Sequence, residues 1–300
     1  MKSLTFLLAT ALILIAVFVF SGDGGKDLLP PGGGEVLATV SASINPFQAP
    51  RLSAKAIYVF DLSAGEVLFS NHADAQLPLA SLAKLITATI ALDLADDFEE
   101  RVYISPEALT PEGESGLILD DSWKVYDLAA FGLIASSNDA AEALALFAQE
   151  KSGLDFAQLV QDFTRKLNLN QTYLLNPTGL DVSMTAAGAY GSARDIAAVL
   201  EYALKNYPSV FNKTTLAETT FESLNGRQYK VRNTNPRIAE WPLILLSKTG
   251  FTDLAGGNLA LIFEAGPARP IISVVLGSTL EGRFSDTALI METVFNHLIN

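Results

Sequence analysis

The chain has 300 residues, enough for one large domain or two small ones, and carries 20 basic against 33 acidic side chains for a net charge of −13. At 49% hydrophobic and 18% charged it is neither disordered nor fibrous, and the acidic balance argues against a nucleic-acid partner, which would want a basic face. Cysteine is absent and only His72 and His297 represent histidine, so thiolate chemistry is excluded and the commonest hydrolase base is scarce.

The chain opens with Lys2 and an apolar run, residues 4–20, interrupted only by Thr5 and Thr10. This run is longer than the usual signal-peptide core and lies at the short edge of a membrane span. A good small-residue cleavage site is missing, although Val19-Phe20-Ser21 offers a loose one. Lys2 before the run and Asp23 after it place the remainder outside the cytoplasm. The preferred reading of residues 1–21 is an uncleaved anchor, with a cleaved signal peptide as the alternative. Residues 22–50 are rich in Gly and Pro, show no periodic apolar face, and read as a linker. A folded domain is expected over residues 51–300.

Within that domain AKAIYVFDL and EVLFSNH flank Ser63-Ala64-Gly65 and read as a β-hairpin. LASLAKLITATIALDL reads as an apolar, buried helix. VYDLAAFGLIA, DAAEALALFAQE, FAQLVQDFTRKLN and ARDIAAVLEYALKNY continue the helical pattern, and GRQYKVRNTN reads as a strand. WPLILLSKTG, GNLALIFEAG and RPIISVVLGST then suggest an antiparallel meander, followed by a last helix from about Ser285 to Ile299. Strands at both ends with helices between them imply an α/β architecture of the α+β type: one sheet drawn from both termini plus a mostly helical insertion.

No G-x-S-x-G elbow occurs, Gly113-Glu114-Ser115-Gly116 having the wrong spacing, and no pair of histidines has metal-ligand spacing. No metal site is expected. A serine can instead be activated by a lysine whose amine is made neutral by burial. Ser81-Leu82-Ala83-Lys84 puts both groups on one helix face. With 22 Ser and 11 Lys, about 0.8 such pairs arise by chance, so this pattern alone is weak. Ser136-Ser137-Asn138 lies between two helical segments, where Asn138-Asp139 could equally serve as a helix cap. Ser136 is read as a proton relay and Asn138 as a hydrogen-bonding partner of the lysine or the substrate. Lys248-Thr249-Gly250 ends a strand, and chance supplies only about 0.05 of them. Lys248 offers positive charge to a carboxylate, Thr249 a hydroxyl, and Gly250 room for an approaching backbone.

In this order and spacing the three motifs resemble those of the penicillin-recognising serine D,D-peptidases, in particular the D-alanyl-D-alanine carboxypeptidases of low molecular mass. The resemblance covers about residues 52–295 and extends to NPTGLD at Asn176–Asp181, GSARDIAAVL, RNTN at Arg232–Asn235 and GSTLEGRFSD. It implies a β-lactamase/D,D-peptidase-like fold with an antiparallel sheet of about five strands flanked by helices. It further implies that Ser81, deprotonated by Lys84, attacks the D-Ala-D-Ala bond of a peptidoglycan stem peptide. The N–H groups of Ser81 and Phe251 would form the oxyanion hole, and Arg283 would help to bind the terminal carboxylate. β-Lactams would acylate Ser81, and no cofactor is needed. The location implied is the extracytoplasmic face of a bacterial membrane, in cell-wall biogenesis and cell-shape maintenance.

The chain also departs from that pattern. Family members commonly carry a further β-rich domain and a C-terminal amphipathic anchor, which the sequence up to Asn300 does not show, so the N-terminal run is expected to take over anchoring. Phe251 stands where relatives often have His or Tyr. A D,D-endopeptidase acting on cross-links remains open beside the carboxypeptidase. Less favoured are a class A-like β-lactamase, for which Glu222-Ser223-Leu224-Asn225 is one residue short of E-x-x-L-N, and a non-catalytic envelope binding protein.

Overall fold

The strands AIYVFD, GGNLALIFE and PIISVVLGS are apolar at nearly every position, which calls for cover on both faces of their sheet, and the fold supplies a layer for each. A computed structural model describes residues 52–113, 116–241 and 243–299. The apolar run and linker lie outside these residues, as does Arg51. In chain order the elements are strands β1 (Ala56–Asp61), β2 (Glu66–Asn71) and β3 (Leu77–Pro78), helix α1 (Ala83–Leu94), strands β4 (Arg101–Tyr103) and β5 (Ser122–Lys124), and helices α2 (Val125–Ala135), α3 (Asn138–Ser152) and α4 (Phe156–Leu167). Strands β6 (Tyr173–Leu174) and β7 (Ala189–Gly191) follow, then helices α5 (Ala193–Asn206) and α6 (Pro208–Phe211). Strands β8 (Glu218–Glu222), β9 (Gln228–Arg232), β10 (Ile244–Thr252), β11 (Gly256–Glu264) and β12 (Pro270–Ser278) precede helix α7 (Gly282–Ile299).

The main sheet has the order β10-β11-β12-β1-β2 with every pair antiparallel. Pairing of Ala56 with Leu276 and of Asp61 with Ile271 joins the two ends of the domain, as the sequence predicts. Ile57, Val59, Leu259, Leu261 and Phe263 project to one face and pack with Phe284, Ile290 and Val294 of α7. Their neighbours Ala56, Tyr58, Ala260, Ile262 and Val274 project to the other and join the larger core of α1, α2, α3 and α5. A two-residue period thus builds a layered domain with the sheet in the middle. Asp61 closes the first hairpin by accepting from Ser63 and Ala64, and its second oxygen takes Arg269 Nε at 2.7 Å.

One expected boundary shifts, and one strand appears that the sequence pattern does not announce. The last helix begins at Gly282 because Thr279 accepts the Gly282 and Arg283 N–H groups, which brings Arg283 into its first turn. Strand β8 pairs with β9, although its sequence ETTFE has a single buried residue and no alternating signal. Glu222-Ser223-Leu224-Asn225 forms the end of β8 and the turn after it. Glu222 accepts from Gln228 at 2.5 Å, and Asn225 Oδ1 accepts from Ser122, so these residues are engaged in holding the hairpin. Among the described residues no helix is long and apolar enough to cross a membrane.

Candidate active site

The segment leading into α1 is fixed by two strands, β7 and β11. Leu79 N donates to Ala189 O at 2.9 Å, and the fully buried Asn258 of β11 donates through Nδ2 to Pro78 O and Leu79 O, each at 3.0 Å. Ala80 takes a left-handed φ of 48°, a strained conformation for a residue with a Cβ. A 3-10 turn over Ala80–Leu82 then carries Ser81 into the helix, which starts at Ala83. Because α1 is apolar nearly all round, it is buried nearly all round, and Lys84 with it at 2% exposure. Lys84 Nζ lies 3.0 Å from Ser81 Oγ and donates to Thr178 O at 2.8 Å. Burial pushes its amine down to about 7.

Helix α2 ends on Ser136, whose left-handed φ of 57° turns the chain sharply into α3. Lys248 Nζ donates to Ser136 Oγ and to Thr249 O, both at 2.8 Å. Lys248 is 1% exposed; burial first, and then the charges of Lys84 and Arg283, drive its amine well below the usual lysine range. Ser137, not Asn138, caps α3, accepting from Ala140 N at 3.0 Å. Asn138 Nδ2 donates to Glu112 O at 2.5 Å, and no bond joins its side chain to Lys84 or Lys248.

Strand β10 is an edge of the main sheet and presents the K-T-G segment beside the Ser81 turn. A Cβ at Gly250 would come within 2.9 Å of Leu79 O and 3.3 Å of Leu82 N. Glycine is therefore needed here for the strand to pack on the serine's own segment, a reason distinct from substrate access. Thr249 Oγ1 bonds Thr234 Oγ1 at 2.7 Å. Arg283 is buried, donates from Nη1 to Gly250 O at 2.8 Å, and leaves Nε without a protein partner. Burial lowers its pKa. The Phe251 side chain is 45% exposed and stands at the end of the same strand.

The structure thus brings Ser81 to Lys84, Ser136 to Lys248, and Arg283 to Gly250, while Asn138 and Phe251 make no bond to the others. NPTGLD and RNTN carry no role that the side-chain pattern alone assigns. Thr178 supplies the carbonyl that holds Lys84, and Asn235 Nδ2 donates to Ser247 Oγ behind Lys248 at 2.9 Å. A backbone carbonyl leaves no trace in a side-chain pattern, which is why Thr178 was not singled out.

The fold and this lysine-held serine beside a K-T-G edge strand are those of the serine D,D-peptidases. A sequence model of the Peptidase S11 family, D-alanyl-D-alanine carboxypeptidase, matches residues 43–279. The chain belongs to that family. It is 30% identical to the D-alanyl-D-alanine endopeptidase of Escherichia coli K12 over 242 residues, 78% of this chain and 74% of that protein. It is 28% identical to D-alanyl-D-alanine carboxypeptidase DacF of Bacillus subtilis over 81% of this chain, but spans only 62% of DacF. Penicillin-binding protein D2 from Listeria monocytogenes, solved in an ampicillin-bound form, is 30% identical with a TM-score of 0.66, covering 82% of this chain and 98% of that one.

Proposed function

We propose that this hydrolase is a serine-type D-Ala-D-Ala carboxypeptidase that removes the terminal D-Ala of peptidoglycan stem peptides through an acyl-enzyme on Ser81. The observation that carries the reading is the 3.0 Å contact between Ser81 Oγ and a buried Lys84 amine lowered to about 7. A neutral amine can take the serine proton near neutral pH, as a general base must. Ser81 Oγ then attacks the carbonyl of the penultimate D-Ala, and the N–H groups of Ser81 and Phe251 receive the oxyanion. The C–N bond breaks as the leaving amine takes a proton through Ser136 and Lys248, which stand 2.8 Å apart. Water then hydrolyses the ester. Lys248, Thr249 and Arg283 supply the polar groups for the substrate carboxylate, and Asn138 reaches the substrate by exchanging its bond to Glu112 O. β-Lactams open their ring amide on the same serine, in keeping with the ampicillin-bound relative. The reaction requires no cofactor.

A D,D-endopeptidase is the second reading, favoured by one observation: the chain spans 74% of the E. coli endopeptidase against 62% of DacF. The likeness to these relatives supports a place in the cell envelope; the reading of residues 1–21 as an N-terminal anchor and residues 22–50 as its tether rests on the apolar run and the Gly- and Pro-rich segment of the sequence. Incubating the full-length protein with a stem pentapeptide is expected to release free D-Ala, and Lys84→Ala to lose at least about a hundredfold of that rate. A fluorescent penicillin is expected to label the wild type and not Ser81→Ala. Labelling that survives in Ser81→Ala would place the nucleophile elsewhere, and cleavage of cross-linked dimers alone would establish the endopeptidase.

A further inference from the structure

The loop between β6 and β7 touches both walls of the candidate site, and its internal bonds converge on one side chain. Asn176 Oδ1 accepts from Thr178 N at 3.2 Å, Thr178 Oγ1 at 2.9 Å and Gly179 N at 2.8 Å, while its Nδ2 donates to Leu180 O at 2.9 Å. An asparagine bonded to backbone two and three residues on folds the chain into a tight turn. Thr178 Oγ1 reinforces it by accepting from Leu180 N at 3.1 Å. Within this turn Pro177 O accepts from Thr87 Oγ1 of α1 at 2.8 Å, and Thr178 O accepts from Lys84 Nζ. Gly179, with a φ of 76°, leaves no room for a side chain: a Cβ there would lie 2.0 Å from Ala80 O. Asp181 then accepts from Thr252 Oγ1 at 2.9 Å, tying the loop to the end of β10.

We propose that Asn176 is a positioning residue for Lys84, acting through the Thr178 carbonyl that its turn aims at the lysine amine. The proposal rests on Lys84 being the base for Ser81. The alternatives for orienting the amine are few. Ala129, Gly132 and Leu133 of α2 and Ala141 and Leu144 of α3 pack around Lys84 and are small or apolar. The charge that couples to it is Lys248 from β10, itself pressed toward neutrality and bonded to Ser136 and Thr249 O. With Ser81 Oγ as one partner of the amine, Thr178 O fixes the direction of the other. A carbonyl acceptor also favours the charged ammonium over the amine, so it sets where Lys84 titrates as well as where it points.

The test is the pH dependence of acylation of the full-length protein by a fluorescent penicillin, resolved into binding and the maximal acylation rate. Asn176→Ala is expected to lower the maximal rate about tenfold, a part of the hundredfold or more that a general base contributes, with binding little changed. Its acid limb is expected at lower pH than in the wild type, because the ammonium has lost its acceptor. Thr178→Ala keeps the carbonyl but loses both hydroxyl bonds of the turn, and a smaller shift in the same direction is expected; this variant decides the matter if Asn176→Ala does not fold. An unmoved acid limb with an unchanged maximal rate, in whichever variant folds, overturns the positioning role. Full labelling of Lys84→Ala would overturn the base assignment instead, so the two failures are distinguishable.

Discussion

A lysine serves as a base only when it has lost its proton, and at position 84 burial is what presses the amine toward that state. The amine stands at about 7, so it is neutral above that pH and charged below it. Because the ammonium cannot accept the Ser81 proton, acylation is expected to be half-maximal near pH 7 and to fall about tenfold per unit at lower pH. A stopped-flow or gel-based profile of penicillin acylation from pH 5 to 9 checks this, and a rate that stays flat down to pH 5 would remove Lys84 from the role. The motif spacing made Ser81 and Lys84 visible as candidates. It did not show that Thr249 bonds Thr234, that Asn138 bonds Glu112 O, or that Gly250 is required by Leu79. Those partners come from segments distant in sequence, and a spacing argument carries no information about them.

At the scale of elements, the serine's turn is held by strands and loops rather than by its own helix. Asn258 on β11 is the clearest instance, donating to Pro78 O and Leu79 O and accepting from Gly277 N at 2.8 Å, all without solvent contact. Asn258→Ala removes bonds to three backbone groups, of which Leu79 O keeps a second donor in Leu82 N, and each buried group left without a partner costs about 1–3 kcal/mol. The substitution is expected to lower the thermal midpoint by several degrees and to slow penicillin acylation, while a variant as stable and as fast as wild type would show the anchor to be redundant. The long elements were legible because their apolar residues recur at helix or strand periods over many positions. Helix α2 begins and ends where VYDLAAFGLIA does. The two- and three-residue strands β3, β4, β5, β6 and β7 were not legible, since such lengths hold no period, and β8 was hidden by its polar, exposed face.

For the whole molecule, the net charge of −13 opposes the capture of an anionic ligand, while Lys84, Lys248 and Arg283 oppose that repulsion locally. The three cationic groups are buried and two are lysines pressed toward neutrality, so the outer acidic surface is expected to dominate the approach. Raising ionic strength from about 0.01 to 0.15 M shortens the screening length from about 30 to 8 Å. The second-order rate of acylation by an anionic penicillin is expected to rise about twofold over that range; a rate that falls with salt would show that the local positive field governs encounter. By itself the sequence pointed to the class of chemistry: no cysteine, two histidines and an S-x-x-K pair made lysine the candidate base for serine, and the order of the three motifs pointed to the family. Only the tertiary structure buries the Lys84 amine and so presses it toward neutrality. Desolvation depends on what surrounds the amine, and its surroundings come from α2, α3, the Thr178 loop and β10, which folding alone brings to one point.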